Sequence, residues 1–295
     1  MRVAVVGAGA IGVVIAEAAA ASGHDVVVCV RTPVDGLSVK RKGEVVEVEA
    51  TITAAPDGPV CDVVLVTTKA TDTASTAPAL AALCGPGTLT VCVQNGLDQD
   101  ARLALLMPAG AGPVAPALAY IAAERVGPGR VRHFWGDLLM VPSAHAERLL
   151  PAVDQGLRVR GIEDWRTESW RKLLANLVTN PITAILSRRI DLGLSPALAE
   201  LARGVLTEAV AVAQADGAAL EDTEVDTLVA GIARLGLAGS SMLYDRQAGR
   251  PMEHRFLTGE VVRRGAALGV RTPVNTTLLT LLDAIDQPEV PVTQD

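Results

Sequence analysis

The chain is poor in aromatic rings and in lysine. Phe, Trp and Tyr make up 2% of its 295 residues, and 22 of its 26 basic residues are arginine. With so few rings, a core has to be assembled from Ala, Val and Leu, which suit helices packed on a parallel sheet. Cysteine is scarce as well: Cys29, Cys61, Cys84 and Cys92 fall in the first third without a CxxC spacing, and the four histidines are scattered. That excludes a zinc-ligand pattern and a disulfide framework, so no metal is expected and the thiols are expected to be reduced core residues. There is no run of 18 apolar residues, and a strand-like segment begins after one arginine with no leader-like pattern. A cytoplasmic protein without a membrane span is expected. Positive charge is in deficit too, with a formal net charge of −7 and 13 basic against 17 acidic residues up to position 164, then 13 against 16. Neither half is a basic module, which argues against nucleic acid or an anionic membrane as partner.

What is present begins at the N-terminus. Residues 2–6 read as a buried strand, residues 10–22 as an alanine-rich helix closed by Gly23, and residues 25–30 as a second strand. Between the first two lies Gly7-Ala8-Gly9-Ala10-Ile11-Gly12, a GxGxxG loop in its strand-turn-helix context. Gly7 permits the tight turn, Gly9 lets the backbone approach a pyrophosphate, Gly12 lets the helix pack close to the strand, and the helix N-terminus offers N–H groups to phosphate. An NAD-selective site would carry Asp or Glu at the end of the second strand; this chain has Arg31, whose guanidinium suits the 2′-phosphate of NADP(H). Lys40, Arg41 and Lys42 are either outer help for that phosphate or a solvated hairpin turn.

Residues 36–53 read as one hairpin interrupting the wound pattern, and residues 62–67 and 87–93 as further strands. Their ends deliver Thr68-Lys69 and Gln94-Asn95-Gly96, the latter either a plain turn or the lining of a site, because ligands gather at such strand ends. Residues 127–136 and 138–141 read as a hairpin finishing the sheet, with 143–155 as its covering helix. His133 lies in that hairpin with no carboxylate at a useful spacing and reads as structural.

Beyond residue 164 the apolar period becomes helical. Residues 167–187, 196–217, 222–235, 253–268 and 273–286 read as helices, with Ser195-Pro196 and Thr272-Pro273 as cap and first-turn pairs. The expected fold is α/β: an N-terminal Rossmann-type dinucleotide-binding domain over residues 1–164, then an all-helical C-terminal domain over residues 165–295. Lys172 is the only lysine in the last 226 residues. A partly desolvated lysine can shift its pKa toward neutrality and exchange a proton, as arginine cannot. Asn176 and Asn180 follow it at i+4 and i+8. This polar stripe is either a solvated helix face or a substrate site.

In order and spacing, several motifs together resemble the ketopantoate reductase (2-dehydropantoate 2-reductase) family over nearly the whole chain. They are Gly7-x-Gly9-x-x-Gly12, Arg31, Thr68-Lys69, Gln94-Asn95-Gly96, the Gly-Arg-Val-Arg-His run at 129–133, the 170–181 helix, and Ser240-Ser241-Met242-Leu243 with Asp245. The resemblance implies NADPH-dependent reduction of 2-dehydropantoate (ketopantoate) to (R)-pantoate, a step of pantothenate and coenzyme A biosynthesis. It implies that Lys172 is the general acid and Glu253 its partner, with Glu253 also on the cofactor. Asn95, Asn176, Asn180 and Ser241 would bind the 2-oxo acid, and Gly7, Ala8, Gly9, Ala10, Ile11, Gly12, Arg31, Lys69 and Asn95 the NADP. An Ala/Leu-rich helical half is compatible with a homodimer. After Glu253 the chain departs from the family's usual run of an apolar residue, Asp and later Asn before Gly: it has His254, Arg255, Thr258 and Gly259. Two other readings stand beside the first, an enzyme acting on another 2-oxo acid and a non-catalytic NADPH-sensing regulator. A sensor has no need for Lys172 and Glu253 together.

Overall fold

A computed structural model describes residues 1–287. The chain divides into two compact units, one spanning Met1–Trp165 and one from Arg166 onward.

The first unit contains β1 (Arg2–Val6), α1 (Ala10–Ala21), β2 (Asp25–Cys29), β3 (Ser38–Arg41), β4 (Glu44–Glu47), β5 (Thr51–Thr53), β6 (Val63–Val66) and α2 (Ala77–Leu83). It continues with β7 (Leu89–Cys92), α3 (Gln99–Ala104), β8 (Val114–Pro116), β9 (Leu118–Gly127), β10 (Arg130–Pro142), α4 (Ser143–Leu149) and β11 (Arg158–Ile162). Six strands form an all-parallel sheet in the order β5-β2-β1-β6-β7-β8. Counted within that sheet, this is the 3-2-1-4-5-6 winding of the Rossmann fold. A parallel sheet covered on both faces needs strands that are apolar at every position. In β1, Val3 and Val5 join a core layer with Val13 and Val14 of α1, while Ala4 and Val6 join another with Leu80 and Leu83 of α2 and Leu103 of α3. All four cysteines belong to that second layer and are free. Burial pushes the Cys29 and Cys92 thiols up to about 12, so they act as small apolar groups rather than nucleophiles.

Two expectations about this unit are corrected. Residues 36–53 are not one hairpin: β3 and β4 pair antiparallel around Lys42 and Gly43, but β5 leaves them to run parallel beside β2, pairing Val27 with Thr51 and Cys29 with Thr53. Three β-branched residues are enough for an edge strand when the neighbour supplies the template. Nor does the 127–141 stretch finish the main sheet. β10 is one continuous strand with register shifts between His133 and Trp135 and between Trp135 and Leu138. Its antiparallel partner is β9, upstream, and together with β11, β3 and β4 they make a separate five-stranded sheet. Gly136, at φ 84°, marks a bulge rather than a chain reversal. The covering helix also ends early, at Leu149, and Pro151 follows in a 3-10 turn.

The second unit is helical: α5 (Trp165–Leu186), α6 (Pro196–Ala215), α7 (Thr223–Arg234), α8 (Ser241–Gln247), α9 (Thr258–Leu268) and α10 (Pro273–Asp286). Residues 253–268 are not one helix. A 3-10 turn, His254–Phe256, precedes α9, and α8 is an additional element that its seven residues left without a readable period. Ser195 and Thr272 stand at the N-caps as their Pro neighbours require, but neither side chain makes a cap hydrogen bond. The start of α10 is capped instead by Glu208 of α6, which accepts from Val274 N at 2.8 Å, Asn275 N at 2.9 Å and Asn275 Nδ2 at 2.8 Å. Asp216, at the end of α6, accepts from Arg166 Nη1 at 2.9 Å, Trp170 Nε1 at 2.8 Å and Arg264 Nη1 at 2.7 Å. Among the described residues, no helix is long and apolar enough to cross a membrane, and no group of three His, Cys, Asp or Glu could hold a metal ion.

Glu208→Ala removes a charged acceptor from two helix-start N–H groups and from a buried amide. It should lower stability by about 1–2 kcal/mol, read as a fall in the urea midpoint of the helical unit.

Candidate active site

In the first unit, β2, β1, β6 and β7 are neighbours and run parallel, so the segments after their C-terminal ends share one edge of the sheet. That edge collects the glycine loop from β1, Arg31 from β2, Lys69 from β6 and Asn95 from β7. The three glycines answer to different constraints. Gly7 sits at φ 110°, and a Cβ there would stand 2.9 Å from Thr68 N. At Gly12 a Cβ would overlap the Gly7 carbonyl oxygen and Thr67 Oγ1, two atoms already joined by a 2.7 Å hydrogen bond from the threonine hydroxyl. Packing of α1 onto β1 and β6 therefore requires both. Gly9 is different, since the nearest atom to its would-be Cβ is Thr67 O at 4.0 Å. Nothing inside the protein demands a glycine there. It is the N-cap of α1, with no side-chain cap and no acidic residue in the first turn, and this open, positively polarised helix start fits a diphosphate.

The strand ends on either side are cross-linked. Gln94, buried at the end of β7, donates from Nε2 to Thr68 Oγ1 at 3.2 Å and to Lys69 O at 3.4 Å, and accepts from Thr73 Oγ1 at 3.1 Å. It fixes the segment carrying Lys69 against the one carrying Asn95. The Arg31 side chain is 79% exposed and meets Asp72 Oδ1 at 3.5 Å, an exposed pair that leaves the guanidinium accessible. Sequence reasoning missed Asp72, which no motif marks. Arg41 takes no part in this edge. Its Nη2 pairs with Glu17 at 2.9 Å and its Nε donates to His133 Nδ1 at 2.8 Å. His133 then donates from Nε2 to Gly136 O at 2.6 Å, in a partly buried network that joins α1 to the second sheet.

In the second unit, Lys172, Asn176 and Asn180 lie along α5. Lys172 is only partly exposed, and burial pulls its ammonium pKa down from 10.5 to about 8. Asn180 is buried and engaged on both sides of its amide. Nδ2 donates to Asn176 O at 3.1 Å, and Oδ1 accepts from Ser241 Oγ at 3.1 Å and from Met242 N at 3.2 Å. A second rung joins Thr183 Oγ1 and Ser240 Oγ at 2.7 Å, while Ser240 caps α8 by accepting from Leu243 N at 3.0 Å. Asn180 is thus the anchor of α8 on α5, and it dictates the polarity of its neighbour: because the Ser241 proton points at Asn180, the exposed hydroxyl offers lone pairs outward. Glu253 is buried immediately ahead of the 3-10 turn. The residues that depart from the family run have other partners, His254 and Arg255 both meeting Asp283 Oδ1.

Residues 3–143 match the family described as ketopantoate reductase PanE/ApbA, and residues 164–286 its C-terminal family, ketopantoate reductase PanE/ApbA C terminal. The 2-dehydropantoate 2-reductase of Caulobacter vibrioides is 36% identical over 290 residues, covering 96% of this chain and 98% of that one. Among solved structures, a PanE/ApbA family ketopantoate reductase from Ralstonia eutropha superposes with a TM-score of 0.85 at 31% identity, covering 97% and 98% of the two chains. The 2-dehydropantoate 2-reductase of Geobacter metallireducens gives a TM-score of 0.88 at 28% identity, covering 96% and 99%. Likeness of sequence over nearly the full length and likeness of fold agree: the chain belongs to the ketopantoate reductase family of nicotinamide-dependent oxidoreductases.

Proposed function

We propose that this protein reduces 2-dehydropantoate to pantoate with NADPH, its first unit holding the cofactor and its second the oxo acid. The observation that carries the reading is Lys172, an ammonium whose burial brings its pKa to about 8 on a helix that also bears Asn176 and Asn180. A bound nicotinamide supplies hydride to the 2-oxo carbon. As that carbon gains the hydride, its oxygen becomes an alkoxide, and a proton donor within hydrogen-bond reach lowers the barrier. Lys172 Nζ gives that proton and is left as the amine. A pKa near 8 keeps the group protonated at neutral pH yet makes it a stronger acid than an exposed lysine.

The neutral residues orient the substrate. Ser241 presents lone pairs to a substrate hydroxyl, and Asn176 offers an amide to hydroxyl or carboxylate without adding a charge that would compete for Lys172. Asn180 acts one step back, through Ser241. Glu253 is the carboxylate partner that gives the ammonium a fixed direction. On the cofactor side, Gly9 and the α1 start would hold the diphosphate, Arg31 would pair with the 2′-phosphate, and Lys69 and Asn95 would bind the remainder of the cofactor. The name carried by relatives 36% and 33% identical over nearly the full length favours 2-dehydropantoate over a different 2-oxo acid. A panel of 2-oxo acids ranked by kcat/KM with NADPH tests this directly, and a preference for another acid would overturn it.

Lys172→Ala should lower kcat by about 10²- to 10⁴-fold while NADPH affinity, measured by fluorescence titration, stays within a factor of about two because Lys172 lies outside the glycine loop. Wild-type turnover in that variant would remove the lysine from the chemistry. The pH profile carries a sign. Reduction needs protonated Lys172, so kcat/KM should be level below the folded pKa and fall as pH rises through about 8, and Lys172→Arg, which does not titrate there, should lose that limb along with most of the rate. Arg31→Ala should narrow the NADPH over NADH preference by about tenfold, seen as a ratio of kcat/KM values; an unchanged ratio would mean that the 2′-phosphate is read elsewhere.

A further inference from the structure

The segment around Glu253 is tied to one face of α10. Ahead of it, Met252 N donates to Asp286 Oδ1 at 3.4 Å. After it, His254 Nε2 and Arg255 Nε both donate to Asp283 Oδ1, at 3.0 and 2.8 Å. Asp283 and Asp286 are three residues apart, one helical turn, so a single helix face holds both flanks of the glutamate. Glu253 also opens the 3-10 turn, its carbonyl accepting from Phe256 N at 3.0 Å, and stands at φ −87°, ψ 20°.

His254 shows what the tether is for. The residue is 1% exposed. With Nε2 donating to the carboxylate, Nδ1 is the acceptor nitrogen, and it is buried with no hydrogen-bond partner among the described residues. Burying such an atom without a partner works against folding. A leucine would fill the same space without that cost, but it could not fix a direction. The Asp283 carboxyl is held below the ordinary carboxylate range, first by the His254 hydrogen bond and then by that of Arg255, so the acceptor stays charged through the neutral range.

We infer that Asp283 is a positioning residue for Glu253: through His254 and Arg255 it fixes the turn that aims the Glu253 carboxylate at the bound ligand. The inference rests on Glu253 belonging to the reductase site. It places a determinant of the reaction on α10, thirty positions further along the chain than the carboxylate it steers.

Steady-state reduction of 2-dehydropantoate by the full chain tests this in two backgrounds. Asp283→Asn should lower kcat/KM about tenfold in the native chain and produce no further loss in Glu253→Gln. An equal loss in both backgrounds would mean that Asp283 acts on something else, and would overturn the inference while leaving Glu253 its role. Wild-type kcat/KM in Glu253→Gln alone would instead remove the glutamate from the site, and the inference with it. The histidine gives an independent pair should Asp283→Asn fail to fold. His254→Gln, whose amide nitrogen can donate from nearly the place of Nε2, should stay within about twofold of native, whereas His254→Leu should lose about tenfold. Equal kinetics for the two would mean that the ring only fills space, and would overturn the inference as well.

Discussion

One carboxylate sets the rotation of α5, the helix that bears Lys172. Asp216 accepts from Arg166 and Trp170, both on α5, and from Arg264 on α9. Burial alone would raise its pKa; the Trp170 hydrogen bond and the charges of Arg264 and Arg166 outweigh it and hold the group ionised. Arg264 also lies over the Trp170 ring, 5.9 Å from its centroid, and is paired with Glu260 at 2.6 Å. A helix docked by apolar contacts alone can turn by a few tens of degrees at small cost, because Leu, Val and Ala side chains are nearly interchangeable as neighbours. A buried indole N–H with a single acceptor cannot. Lys172 follows Trp170 by two residues, about 200° around the axis, so locking the tryptophan also locks the direction in which the lysine, Asn176 and Asn180 leave the helix.

The same helix contains Pro181, which removes one backbone donor from its interior and crowds the carbonyl one turn earlier. α5 nonetheless continues to Leu186, and the side chains around the proline account for it. Asn180 Nδ2 returns to Asn176 O, and Thr183 Oγ1 to Thr179 O at 2.6 Å, so polar side chains engage carbonyls on the turns next to the missing bond. Both residues then reach outward to α8, through Ser241 and Ser240. The polar groups that tolerate a proline in mid-helix are thereby the ones that seat the neighbouring helix and orient Ser241.

How much of this is legible in the sequence depends on whether a constraint is local. The glycine loop is readable because Gly7 and Gly12 answer to backbone crowding within one strand-turn-helix unit. The helices α5, α6, α7 and α10 are readable from period, and α6 and α10 also from Pro at their starts. Short elements are not: β5 has three residues and α8 seven, too few for a period to register, and each is held by a partner distant in sequence. Gly136 looks like a turn because positive φ serves turns and bulges alike. Around the candidate site residues that motifs single out, Gln94's role as a cross-link, Asp72 beside Arg31, and Asp283 beside His254 and Arg255 are visible only once the chain has folded. Single carboxylates carry no pattern.

The division between arginine and lysine then has a physical reading. Arginine supplies the structural cations, at Arg41, Arg166, Arg171, Arg250 and Arg264. A guanidinium forms directional hydrogen bonds to a carboxylate with its planar fork of donors, which suits these structural pairs. Lys172 is the opposite choice. Its folded pKa of about 8 lies below the ordinary 10.5, so burying it in protonated form works against folding. That penalty is fully present below the folded value and disappears as pH rises from there through the unfolded value. The proposed donor role puts Lys172 in the range where the penalty applies, because only the protonated form can donate. The surrounding apolar residues, with Leu173, Leu174 and Leu177 fully buried on the same helix, both cause the desolvation and provide the burial energy that offsets it. An arginine at 172 would keep its charge but not the depressed pKa that burial gives the lysine.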